Sequence, residues 1–169
     1  MIANPRSAAR ALTLALLLTI IGGLAPAQAG TKMPAFTLDD VKTDEPVASS
    51  TFAGKAKLVV FFATWCMPCM QEVPALISLQ EEYGPKGFTV IAISVDRRAM
   101  DVKRFLNRTE VNYPILMADK KIVKAFGGIP GLPTSFLVNS DDTVLKKMPG
   151  LRPHAQLERE INSVLSASE

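Results

Sequence analysis

Val59-Val60-Phe61-Phe62-Ala63-Thr64-Trp65-Cys66-Met67-Pro68-Cys69-Met70-Gln71-Glu72 (residues 59–72) is the stretch whose reading decides the fold. Val59 to Phe62 is a short apolar run, β-branched and aromatic, of the kind that forms a buried strand. After Cys66-Met67-Pro68-Cys69 a helical pattern begins at once. Met70, Val73 and Ile77 share one face, with Leu76, Leu79 and Tyr83 beside it. A thiol therefore stands where a strand ends and a helix begins. The first turn of a helix presents unpaired N–H groups and partial positive charge, which favour thiolate over thiol. A free cysteine has a pKa of about 8.5, and each unit of lowering is about 1.4 kcal/mol of thiolate preference. Cys66, at the helix mouth, is the expected nucleophile, and Cys69, nearly one turn inside, the expected resolving thiol. Pro68 has no N–H to leave unpaired and suits a helix start.

The Trp65-Cys66-Met67-Pro68-Cys69 string resembles the active site of the thioredoxin superfamily. Pro74 stands inside the helix, where thioredoxins carry a kinking proline. Gly131-Leu132-Pro133-Thr134-Ser135-Phe136-Leu137-Val138-Asn139 resembles their cis-proline loop running into the next strand. With Met33-Pro34-Ala35-Phe36-Thr37-Leu38 at the front, the chain is similar to the TlpA/ResA-like thiol–disulfide oxidoreductases of bacterial envelopes, over essentially everything after residue 30. The resemblance implies an α/β, thioredoxin-like fold: a central mixed sheet flanked by helices, carrying the helix–strand insert of the TlpA-like and peroxiredoxin-like branches. It implies a cis bond before Pro133, close to the two sulfurs, and pairing of the Leu132 backbone with an extended substrate strand. The Met67-Pro68 pair would help set the reduction potential. Thioredoxins often carry a buried aspartate six residues before the first cysteine; here that position is Val60, so proton handling must come from elsewhere.

The amino end reads as a targeting segment. Arg6 and Arg10 precede an almost wholly apolar run from Ala11 to Leu24, and Ala27-Gln28-Ala29 is a small-x-small cleavage site. The run is shorter than the roughly 20 residues a spanning helix needs. The expectation is a signal peptide over residues 1–29, cleavage, a periplasmic location without a membrane anchor, and one thioredoxin-like domain over residues 30–169. Removing that segment leaves 19 − 2 = 17 basic against 16 acidic residues. No basic stripe with interleaved aromatics points to nucleic acid.

Two cysteines, two residues apart, are the whole complement. A bridge closing so short a loop adds little chain-entropy stabilisation, so a redox role explains the pair better than a structural one. Met70 stands where a haem-attachment motif needs histidine. The single His154 cannot complete a four-ligand zinc site with the two cysteines. No cofactor beyond the Cys66–Cys69 disulfide is expected, and no resident metal. Two other readings stay open. Met67 and Met70 are soft enough to join the cysteines in a copper-handling module, although such methionines more often make an apolar docking surface. A thiol peroxidase on the same fold would carry Pro-x-x-x-Thr-x-x-Cys, and no proline stands in the stretch before Cys66.

Elsewhere the pattern alternates strand and helix. A short strand is expected at Phe36–Leu38, a central parallel strand at Phe88–Val95, and a helix from about Ala99 to Leu106. A strand at Tyr113–Met117 and a helix at Asp119–Phe126 follow. The hairpin Thr134–Asn139/Thr143–Met148 comes next, then a last helix started by Pro153, with Leu157, Ile161, Val164 and Leu165 facing the core. Gly84-Pro85-Lys86-Gly87 should end the redox helix. Trp65 either shields the cysteines or is an ordinary packing aromatic. Asp96 is a candidate for proton handling, with capping of the following helix as its alternative. Glu72 reads as a solvated helix residue, His154 as a surface residue. By resemblance, the partners are protein thiols and disulfides, among them the CxxCH thiols of apocytochromes c and the thiols of copper-site proteins. A membrane thiol transporter would supply electrons.

Overall fold

The computed structural model describes residues 30–166; the expected signal peptide and its cleavage site lie outside them. Seven strands and four α-helices follow in order: β1 (Thr37–Asp39), β2 (Pro46–Ala48), β3 (Ala56–Phe62), α1 (Met67–Tyr83), β4 (Phe88–Ser94), α2 (Ala99–Leu106), β5 (Ile115–Met117), α3 (Lys120–Ala125), β6 (Thr134–Val138), β7 (Val144–Pro149) and α4 (His154–Ser166). Five strands form the main sheet in the order β5-β4-β3-β6-β7. β3, β4 and β5 run parallel, while β6 is antiparallel to β3 and β7 antiparallel to β6. This is the expected thioredoxin-like mixed sheet, with α2 and β5 as the insert.

Every residue of β3 and β4 is buried. Alternate side chains point to opposite faces of a strand, and the core divides accordingly. Leu58, Val60 and Phe62 pack with Val73, Leu76 and Leu79 of α1 and Leu157, Ile161 and Val164 of α4. Val59 and Phe61 face the other way, with Ile122 of α3, Phe126 and Phe136. There Phe61, Phe126 and Phe136 form an edge-to-face triangle with centroids 4.8–6.0 Å apart, a geometry in which such pairs gain beyond their buried area.

Three details add to the sequence expectation. The short strand near Phe36 has a partner, β2, which begins at Pro46; proline is admissible at the first position of an edge strand. As expected, Gly84–Gly87 ends the redox helix: Gly84 is its C-cap, still in helical geometry (φ −52°), and a 3₁₀ turn over Gly84–Lys86 follows. The left-handed residue that stops it is Gly87 (φ 83°), where the absence of Cβ removes the steric cost. Lys57, inside β3, is fully buried. Its ammonium donates to the Lys55 carbonyl (2.7 Å) and lies 2.7 Å from a carboxylate oxygen of Asp142 in the β6–β7 turn, at the end of β3 remote from the cysteines.

Candidate active site

The parallel strand β3 ends at Phe62, and the chain turns through Ala63–Trp65 into α1. The Cys66 N–H donates to the Ala63 carbonyl (3.1 Å). Cys66 is the N-cap residue of α1, in extended geometry (φ −87°, ψ 104°). Its Sγ accepts the backbone N–H of Cys69 at 3.3 Å, one of the orphan donors of a helix start. The two cysteines are joined as a disulfide with Cα atoms 5.2 Å apart. Met67 and Pro68 occupy the first two helical positions, and Pro74 lies within the helix, where it cannot donate to a preceding carbonyl.

The Leu132–Pro133 bond is cis, as the resemblance implied. Leu132 stands two residues before the β3–β6 ladder, which begins at Thr134. It packs against the cluster that contains Cys66 and Cys69. The Pro133 carbonyl accepts from Gly150 (2.7 Å), and Thr134 Oγ1 donates to the Gly131 carbonyl (2.8 Å), so the loop is fixed from both sides. Both cysteines are nearly covered, whereas Trp65 is 71% and Met67 69% exposed. The packing-aromatic reading of Trp65 is thus set aside: its indole faces solvent beside Cys66.

Asp96 does not cap α2. The N-cap there is Arg98, without a side-chain bond, because Asp96 is turned toward the cysteine loop instead. Its carboxylate accepts from the Thr64 N–H (2.9 Å), the Thr64 hydroxyl (2.7 Å) and the Ser94 hydroxyl (2.8 Å). It thereby ties the end of β4 to the residue two before Cys66.

Glu72 corrects a second expectation. It is 1% exposed rather than solvated. The buried arc of α1 is Cys69, Glu72, Val73, Leu76, Leu79 and Tyr83, while Met70 and Ile77 are half-buried. Taking the helical phase from Cys69 puts Glu72 three residues on, inside the arc; that spacing was the available signal. Glu72 Oε1 accepts the Arg152 N–H (2.9 Å), and Oε2 has no hydrogen-bond partner among the described residues. Burial pushes the carboxyl above its usual value, while the Arg152 N–H and charge pull it back. It borders a cavity of about 590 Å³ shared with Arg152 and the half-buried His154.

The sign of that shift has a measurable result. A carboxyl whose folded-state pKa is raised contributes stability fully present below the unfolded value of 4.5 and lost as pH rises through the folded value. Unfolding curves at about pH 4 and about pH 7 should therefore show the protein losing stability relative to Glu72→Gln as pH rises. Equal pH dependence in the two proteins would contradict a Glu72 carboxyl raised by burial.

A disulfide-forming cysteine pair at a helix N-terminus, facing a cis-proline loop on a mixed five-stranded sheet, defines a thioredoxin-fold redox protein. The Redoxin family model matches residues 28–165. The thiol–disulfide oxidoreductase ResA of Bacillus thuringiensis subsp. konkukian is 33% identical over 137 residues, 80% of this chain and 78% of that one. ResA of Bacillus subtilis is 27% identical over 136 residues, 80% of this chain and 75% of that one. Among solved structures, a putative thiol:disulfide interchange protein DsbE from Chlorobium tepidum superposes with a TM-score of 0.76 at 30% identity, covering 82% of this chain and 98% of that one. A second, a thioredoxin-family thiol:disulfide interchange protein from Chlorobium tepidum TLS, gives 0.75 at 34% identity, covering 83% and 99%. The chain belongs to the redoxin family, in its TlpA/ResA-like branch, and is a thiol–disulfide oxidoreductase.

Proposed function

We propose that this protein is an exported, periplasmic reductant of protein disulfides, with Cys66 as nucleophile and Cys69 as resolving thiol. The observation that carries the assignment is the N–H of Cys69 donating to Cys66 Sγ at the helix mouth. In the reduced protein the same donor, with the partial positive charge of the helix end, stabilises a thiolate on Cys66 rather than on Cys69.

The Cys66 thiolate attacks one sulfur of the substrate disulfide. That bond breaks, the first substrate thiolate departs and takes up a proton, and a mixed disulfide remains on Cys66. Cys69 then loses its proton and attacks Cys66 Sγ, releasing the second substrate thiolate and closing the Cys66–Cys69 disulfide. Two electrons pass to the substrate. Glu72 is the proton acceptor we favour for Cys69: it sits one turn on along α1, buried, with an unpartnered oxygen. Asp96 was the other candidate, but its carboxylate already serves three donors. We assign Leu132 the role of pairing its backbone with the extended substrate, and Trp65, Met67, Pro68 and Pro133 that of framing the sulfurs.

The leader-like residues 1–29 support export. Among the described residues, no helix is long and apolar enough to cross a membrane. By family likeness the substrates include CxxCH thiols of apocytochromes c or thiols of copper-site proteins, and a membrane thiol transporter returns the electrons. An insulin-reduction assay tests the activity, with turnover expected when a dithiol recharges the protein. Absence of turnover together with stoichiometric Cu(I) uptake would favour a copper module instead.

A further inference from the structure

Charge is unevenly spread over the chain. Residues 97–128, from the end of β4 through α3, hold eight Lys and Arg against three Asp and Glu; the rest of residues 30–169 hold nine against thirteen. Two cations of this segment, Arg104 and Arg108, line a groove together with Trp65, the residue before Cys66. The groove, of about 710 Å³, runs between α1 and α2, its apolar floor made by Trp65, Met70, Pro74 and Phe105 and its rim by Arg104 and Arg108.

The two acids bordering that groove are already engaged. Asp96 serves Thr64 and Ser94, and Asp101 is shared by Arg98, through two 2.9 Å bonds, and Arg104 at 3.3 Å. Among the described residues Arg108 donates only through Nε, to the Arg104 carbonyl, and its terminal nitrogens have no carboxylate partner there. On the other side of Asp96 a second cavity, of about 870 Å³, presents Arg97, Lys120 and Lys124. Arg104 lies in the last turn of α2 and Arg108 two residues past its end, and the exposed indole of Trp65 leaves apolar surface beside them uncovered.

We propose that this groove docks an acidic, cysteine-bearing segment of the partner protein and so selects which disulfides reach Cys66; the inference rests on the exchange reaction proposed above. Cations facing a cleft raise the encounter rate of anionic partners by about 10- to 1,000-fold. A cleft with an apolar floor leading from Trp65 fits a chain segment; a lipid headgroup plane would need no cleft.

The test uses three disulfide peptides, identical except for flanking residues that are aspartate, serine or lysine. Each is reduced by the dithiol protein, two electrons and two protons passing from Cys66 and Cys69 to give two peptide thiols. Trp65, the single tryptophan, reports the reaction by its fluorescence. The aspartate peptide should react about tenfold or more faster than the serine peptide at low ionic strength, and the lysine peptide slowest. The spread should collapse as the Debye length falls below about 10 Å. Arg104→Glu/Arg108→Glu should reverse the order, and Arg108→Gln should narrow it. Equal rates for the three peptides, or an order untouched by the double variant, would overturn the proposal while leaving the exchange reaction standing. Equal peptide rates with arginine-dependent binding to phosphatidylglycerol-containing vesicles would overturn it in favour of a membrane contact. No reaction with any peptide, serine included, would overturn the exchange reaction and the docking together.

Discussion

Cys69→Ser protein, mixed with disulfide-bonded partners, accumulates covalent adducts through Cys66, whereas Cys66→Ser yields none and its disulfide-reducing activity falls to background. That is the largest effect expected of any substitution in the chain. The asymmetry follows from position. Only Cys66 occupies the N-cap, where its sulfur receives the Cys69 N–H; Cys69 is a turn deeper and almost wholly covered. Without Cys69 the mixed disulfide has no intramolecular thiol to resolve it and persists. Adducts forming through Cys69 in the Cys66→Ser protein would reverse the assignment. The same trap, applied to an extract of the cell envelope, isolates the natural partners by mass.

Asp96→Ala should destabilise the protein by about 2–4 kcal/mol, since hydrogen bonds to a charged group are worth about 1.5–3 kcal/mol each and are not additive. Three donors lose their acceptor: the Thr64 N–H, the Thr64 hydroxyl and the buried Ser94 hydroxyl. Thr64 immediately precedes Trp65 and Cys66, so loosening it should also slow attack by Cys66. Asp96→Asn, which keeps an acceptor oxygen, separates bracing from proton transfer. As a brace, it recovers part of the stability and leaves the pH dependence of exchange unchanged. A shift of that pH profile in Asp96→Asn, with Glu72→Gln showing none, would make Asp96 the proton carrier instead of Glu72.

How far the sequence reveals this site depends on how local each interaction is. β3 and β4 are legible because both faces of each are buried, which forces uninterrupted apolar runs. The cysteine pair is legible because helix capping and N-terminal position are encoded within a few residues. Glu72 is illegible in a helical phase set by Met70, which leaves it off the apolar face, and an acidic side chain on a helix is usually solvated. The role of Asp96 escaped for a different reason. Its chief partner, Thr64, is 32 residues away, joined only when β3 and β4 pair along their whole length. Lys57 is alike: its carboxylate partner Asp142 belongs to a turn that approaches only once β6 lies against β3. β2 was hidden by Pro46, which in isolation reads as a breaker.

We propose that the Cys66–Cys69 pair gives electrons rather than takes them. Met67-Pro68 places neither a hydrogen-bond donor nor a charge between the sulfurs. The helix end is worth about 0.3–1 kcal/mol at an exposed site and up to about 2 kcal/mol at a covered one such as Cys66, at most about one and a half pKa units. Cys66 is then only modestly acidified, and the disulfide comparatively hard to reduce. Redox equilibration against glutathione, read by thiol alkylation and mass, tests this most directly. The expected reduction potential is about −200 to −270 mV, between those of glutaredoxins and thioredoxin. A value near about −120 mV, that of a strong envelope oxidant, would contradict it.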